Sequence, residues 1–174
     1  MKKTETICGD EWLSLKRIKW PEKGINGYTY AREEKSNGLK VAILPYRRVE
    51  RTYEFLLRKE LTPCWDLEKQ FVASITGSVE TGNIKKHAVQ EIEEEGGYTV
   101  KEEDLIELGV VFGSKAMDTV YHIFSVDLTD LEQKESKGDG SRLEKEATMF
   151  WDQSISKASD PMVYVAHHRL MKWL

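Results

Sequence analysis

The chain has 174 residues, 26 Lys and Arg against 30 Asp and Glu, a formal net charge of −4, and 40% hydrophobic residues. That length suits one globular domain with a sizeable core. The acidic balance argues against non-specific nucleic-acid or anionic-membrane binding, and no apolar run reaches the length of a membrane span. The first ten residues carry two lysines but no apolar stretch of signal-peptide length. Cys8 and Cys64 lack metal-ligand spacing, so free thiols in a cytoplasmic protein are expected.

In chain order, residues 11–33 read as two strands around a turn at Pro21–Gly27, with Trp12, Leu13, Leu15, Ile18 and Trp20 before it and Tyr28, Tyr30 and Ala31 after it. Ser36-Asn37-Gly38 is a turn. Leu39–Leu44 is a buried strand limited by Pro45. Tyr53–Lys59 is a second strand, and a looser segment follows around Thr62–Asp66. Phe71–Ile75 is a third, leading into a helix over Ile84–Glu95. Leu105–Phe112, Thr119–Val126 and Ala147–Trp151 are further strands. Residues 129–146 are polar and Gly-containing and read as a long mobile loop. The tail after Asp160-Pro161 has the periodicity of a helix. This order of strands, helix, strands and helix predicts an α+β fold.

The acids at the end of the first helix stand out. Glu91, Glu93, Glu94 and Glu95 crowd into five residues before Gly96-Gly97. They occupy the last turn, where the helix dipole is already negative. Glu91 and Glu95 form a like-charge i,i+4 pair. At α-helical spacing Glu91, Glu94 and Glu95 share an arc of roughly 100°, Glu93 points away, and Ala88, Val89 and Ile92 form a neighbouring apolar stripe. A divalent cation would reverse the sign of this unfavourable arrangement, and hard cations take carboxylate oxygens.

The segment Gly77–Tyr98 resembles the Nudix box. Gly77, Glu91, Ile92, Glu94, Glu95, Gly97 and Tyr98 fit the pattern in order, and Glu80 and Gly82 fit its loop. Asn83 stands where the first Glu belongs, Gln90 replaces an Arg, and the stretch between them is one residue short. The resemblance implies the Nudix fold, an α/β/α sandwich with a mixed sheet, over residues 39–174. Residues 1–38 would form an extra N-terminal antiparallel sheet of the same domain. That extension, and the segment Phe112–Phe124, are similar to the ADP-ribose pyrophosphatase branch, in which such strands commonly help build a homodimer.

The resemblance further implies Mg²⁺ or Mn²⁺ held by Glu91, Glu94, Glu95 and the carbonyl of Thr76, with Glu94 in the catalytic set. It implies Glu146, or else Glu144, as the acid that orients or deprotonates water. Gly77, Lys115, Tyr28 and Arg58 are candidate contacts for the substrate, a small-molecule nucleoside diphosphate derivative. Arg47, Arg48 and Arg51 read mostly as surface cations. Trp12, Trp20 and Tyr30 read as core or interface rather than base-stacking groups, and His87, His122, His167 and His168 as structural. The implied activity is cleavage of the pyrophosphate bond of ADP-ribose or a nucleotide sugar. Two alternatives are a nucleoside triphosphate pyrophosphohydrolase and a nucleotide-binding module that no longer hydrolyses, the latter motivated by Asn83 and Gln90.

Overall fold

The computed structural model describes residues 1–80, 82–136 and 146–174. The chain divides into two compact units. One comprises Met1–Lys40, Ser78–Gly82 and Val110–Tyr121, the other Val41–Gly77, Asn83–Gly109 and His122–Leu174.

The first unit is built on an antiparallel meander of β1 (Lys3–Gly9), β2 (Leu13–Trp20) and β3 (Ile25–Glu33). Sequence patterning missed β1 because every residue in it is exposed, so it carries no alternation of apolar and polar positions. A 3₁₀ turn at Pro21–Lys23 joins β2 to β3, closed by the N–H of Gly24 donating to the Pro21 carbonyl at 2.9 Å. Residues 116–118 add to β3. Ala31 N–H donates to the Ala116 carbonyl at 2.8 Å, and Asp118 N–H to the Ala31 carbonyl at 3.2 Å.

The second unit holds a sheet in the order β11 (Thr148–Asp152), β6 (Thr52–Leu61), β5 (Tyr46–Val49), with β7 (Gln70–Ala73) also paired to β6. A further sheet has the order β8 (Ile75–Ser78), β4 (Leu39–Ile43), β10 (Val120–Ser125), β9 (Ile106–Phe112). The core of the second unit gathers Val41, Ile43, Leu44, Leu56, Leu57, Ile75, Ile92, Ile123, Val163 and Leu170, all essentially inaccessible. Phe55, Leu56, Leu57 and Arg58 are consecutive and all buried, the signature of a strand covered on both faces.

Three boundaries differ from the sequence reading for physical reasons. A strand continues past Pro45 as β5, because Tyr46 N–H finds the Val126 carbonyl at 3.0 Å and β5 turns tightly into β6 at Glu50-Arg51. The predicted strand over 71–75 is two strands broken at Ser74, whose N–H and hydroxyl both donate to the Asp160 carboxylate. The predicted helix over 84–95 is α1 (Ile84–Glu91) followed by one π turn, Ile92–Gly96. The last helix, α2 (Pro161–Leu170), starts where expected, with Asp160 as N-cap accepting from Met162 N–H at 2.8 Å. The described residues form a mixed α+β fold of several sheets and two α-helices, as the element order predicts. No described helix is long and apolar enough to cross a membrane.

Candidate active site

Asn83, the residue standing in place of an expected Glu, has a local task. Its backbone is extended (φ −82°, ψ 119°) and its side-chain oxygen accepts from Lys85 N–H at 3.0 Å, which starts α1. Its side-chain amide donates to Glu102 at 2.6 Å. Ala88 and Ile92 anchor the helix in the core. The helix then widens into the π turn and leaves through Gly97, whose φ of +75° is left-handed. A π turn inside or at the end of a helix recurs at functional sites. Here it carries Glu93 and Glu94 to the surface while Ile92 and Gly96 stay buried.

Gly77 on β8 lies against the Glu91 side chain. A Cβ at Gly77 would sit 1.9 Å from Glu91 Oε1 and 2.5 Å from its Cγ, so only glycine leaves room for that carboxylate. Thr76 precedes it on the same strand. Glu95 is deeper. Its side chain is 7% exposed, and it accepts from the Arg58 guanidinium. Its second oxygen, Oε2, is buried without a hydrogen-bond partner among the described residues. Burial pushes the Glu95 carboxyl up to about 8; Arg58 opposes the shift, while the charges of Glu91 and Glu60 add to it. Burial likewise raises Glu60, with Arg58 opposing.

Among the described residues Glu94 borders at least two cavities. One, of about 290 Å³, is lined by Arg58, Glu95, Gln133, Ala147, Thr148 and Met149 among others. The second, of about 380 Å³, is lined by Gln90, Glu93, Thr99 and Lys134 among others. The described start of the predicted mobile loop is tied to this acidic turn. Lys134 N–H donates to the Gly97 carbonyl at 2.8 Å and the Gln133 side chain to the Gly96 carbonyl at 2.9 Å. A Cβ at Gly97 would meet the Lys134 carbonyl at 2.2 Å, so the close approach requires glycine. Gln133, Ser136, Thr148 and Met149 escaped the sequence reading because no spacing marks a residue as the wall of a cavity.

The second unit therefore sets Gly77 against Glu91 and places Arg58, Glu94 and Glu95 around one cavity, with Thr76 next to Gly77 in the chain. Glu146 is exposed and directly precedes the cavity-lining Ala147–Met149, and its carbonyl accepts from Gln70 at 2.9 Å. Glu144 lies outside the described residues. Tyr28 and Lys115 belong to the first unit, where the Tyr28 hydroxyl donates to the Lys115 carbonyl. Arg47 is held by Glu54 at 2.6 Å and stacks 4.3 Å over Trp151. In the first unit, Lys35 lies 4.8 Å over Trp12.

Among the described residues no three His, Cys, Asp or Glu side chains form a set able to hold a metal ion by themselves. The donors present nonetheless fit a partial shell for a hard cation. They are carboxylates, and Glu95 Oε2 is a buried oxygen lacking a partner. Mg²⁺ commonly takes one or two carboxylates and completes its shell with water and substrate phosphates.

Of solved structures, an ADP compounds hydrolase is similar over 99% of this chain and 91% of its own, with a TM-score of 0.72 and 15% identity. The two share a fold. No protein-family model and no curated protein matches the chain.

Proposed function

We propose that this chain is a Nudix hydrolase that cleaves the pyrophosphate bond of a nucleoside diphosphate joined to another group, with ADP-ribose or a nucleotide sugar as substrate. The observation that carries this reading is the buried, partnerless Glu95 Oε2 beside Glu91, at a cavity that Glu94 also borders. The shared fold with a solved ADP compounds hydrolase supports it.

Glu91, Glu94 and Glu95, with the Thr76 carbonyl, would hold Mg²⁺ or Mn²⁺. The bound ion supplies charge neutralisation on the phosphates and activation of water. Gly77 admits the Glu91 carboxylate to the strand end. Glu146 takes the proton of the attacking water, and Gln133 and Ser136 offer polar groups to the substrate in the cavity. Little further chemistry is required of the protein, because phosphoryl transfer depends mainly on positioning and charge. Residues 1–38 contribute a dimer interface, which sedimentation of the full chain checks.

The engagement of Glu95 by Arg58 favours a second reading, a module that binds nucleotide without hydrolysis. One experiment separates the two. Purified protein and Glu94→Gln are incubated with Mg²⁺ or Mn²⁺ and a panel of ADP-ribose, nucleotide sugars, dinucleoside polyphosphates and nucleoside triphosphates. Release of a nucleoside monophosphate from a diphosphate-linked compound, lost in the variant, is the expected result. Thermal stabilisation by nucleotide without any product refutes hydrolysis.

A further inference from the structure

Arg58 is a charged residue in an apolar strand, 7% exposed after Phe55, Leu56 and Leu57. A guanidinium in such a place must be fully paired, since an unpaired buried charge costs several kcal/mol. Its pairing is divided. Nη1 donates to Glu95 Oε1 in the π turn, 37 residues away, and Nε lies 3.2 Å from Glu60 Oε2 on its own strand. One side of the fork is anchored to β6 and the other grips the acidic turn.

This division has a consequence for Glu95. Oε1 is occupied by Arg58, while Oε2 is buried and has no partner among the described residues. The carboxylate thus has one oxygen committed and one to offer. The alternative use of Arg58, direct capture of a substrate phosphate, would require it to release a buried acid that has no other hydrogen-bond partner among the described residues.

We propose that Arg58 is a positioning residue that fixes Oε1 of Glu95, so that Oε2 alone is presented to the divalent cation. This rests on the reading of the acidic turn as a cation site. Glu60 orients Arg58 and makes no contact with the cation.

The test is Mn²⁺ binding to the full-length, metal-free protein, followed by the electron paramagnetic resonance signal of free Mn²⁺. Partners of this outer kind typically change metal affinity by 10–100-fold. Arg58→Lys keeps the charge but cannot hold both acids at once, and is expected to weaken binding about tenfold. Arg58→Met combined with Glu60→Gln removes the guanidinium and the acid that orients it, leaving only the Glu95 carboxyl of the three, and keeps the measurement available if a single Arg58 variant fails to fold. It is expected to weaken binding by about tenfold or more. Glu60→Gln alone stays closer to wild type than either. In a Glu95→Gln background, Arg58→Lys causes no further loss, a non-additivity that a general structural role would not produce.

Wild-type protein that binds no Mn²⁺ overturns the cation reading and this proposal with it. Wild type that binds, with a folded Arg58 variant binding within twofold of it, overturns the proposal alone. Full additivity of Arg58→Lys with Glu95→Gln overturns it as well.

Discussion

Replacing Gly77 by Ala should separate folding from function. The added methyl would begin 1.9 Å from Glu91 Oε1, and ordinary contact starts near 3.4 Å, so the oxygen must retreat by about 1.5 Å. The Cγ, at 2.5 Å, must move too, so the side chain has to change rotamer rather than merely bend at its tip. Such a change costs roughly 0.5–1.5 kcal/mol. Ala in place of Gly also narrows the unfolded ensemble, which returns about 0.4–1 kcal/mol. The net stability change should stay within about 1 kcal/mol, a Tm shift of roughly 2–4 °C in a domain of this size. Function should respond far more, because a displacement of about 1 Å in a reacting site can cost 10²-fold. Melting curves, Mn²⁺ titration and turnover of the responsive panel substrate are the assays. A Gly77→Ala protein with activity within threefold of wild type would show that Glu91 need not lie where the structure puts it. A collapse of Tm by more than about 10 °C would show that the contact is structural.

The remaining expectations concern other links. Glu95 is raised from 4.5 to about 8 on folding, so the folded state holds a proton that the unfolded state has released. Metal-free stability should therefore be highest below about pH 4.5 as far as this group is concerned, and should fall as pH rises towards 8, by an amount on the order of a few kcal/mol. Melts in chelator across that range check it, and Glu95→Gln should flatten the slope. Asp160→Ala removes the cap of α2 and leaves the buried Ser74 N–H and hydroxyl without their acceptor. It should cost about 2 kcal/mol or more and lower Tm by roughly 4–8 °C, with Asp160→Asn recovering only part of the loss, because its single acceptor oxygen cannot serve both Met162 N–H and Ser74. Glu146→Gln should lower turnover and leave Mn²⁺ affinity nearly unchanged; full turnover in that variant would remove Glu146 from the water-activating role.

Much of the local structure was legible in residue patterns, because helix ends and strands answer to neighbours within a few positions. Asn83 caps α1, Asp160-Pro161 starts α2, and Gly97 ends the π turn. Each is a short-range hydrogen-bonding or φ requirement that a sequence displays directly. The crowding of Glu91, Glu94 and Glu95 was visible for the same reason. The failures were of two kinds. β1 has no buried face, so its pattern is silent. The π turn is not encoded by any period shorter than the turn itself, and it ends the α-helical arc at Glu91.

What the sequence by itself determined is the chemistry available: an acidic turn closed by glycines, and a strand that carries one arginine behind three apolar residues. The sequence marked that arginine only as a candidate substrate contact, although a charge at the end of an apolar run needs a partner once it is buried. Only the tertiary structure decided which partner. Arg58 meets Glu95 across 37 residues, Gly77 meets Glu91, and Gln133 and Lys134 tie the loop to Gly96 and Gly97. The physical reason is that strand order and helix packing set these contacts. Burial then turns an ordinary carboxylate into one oxygen held by arginine and one left to be satisfied.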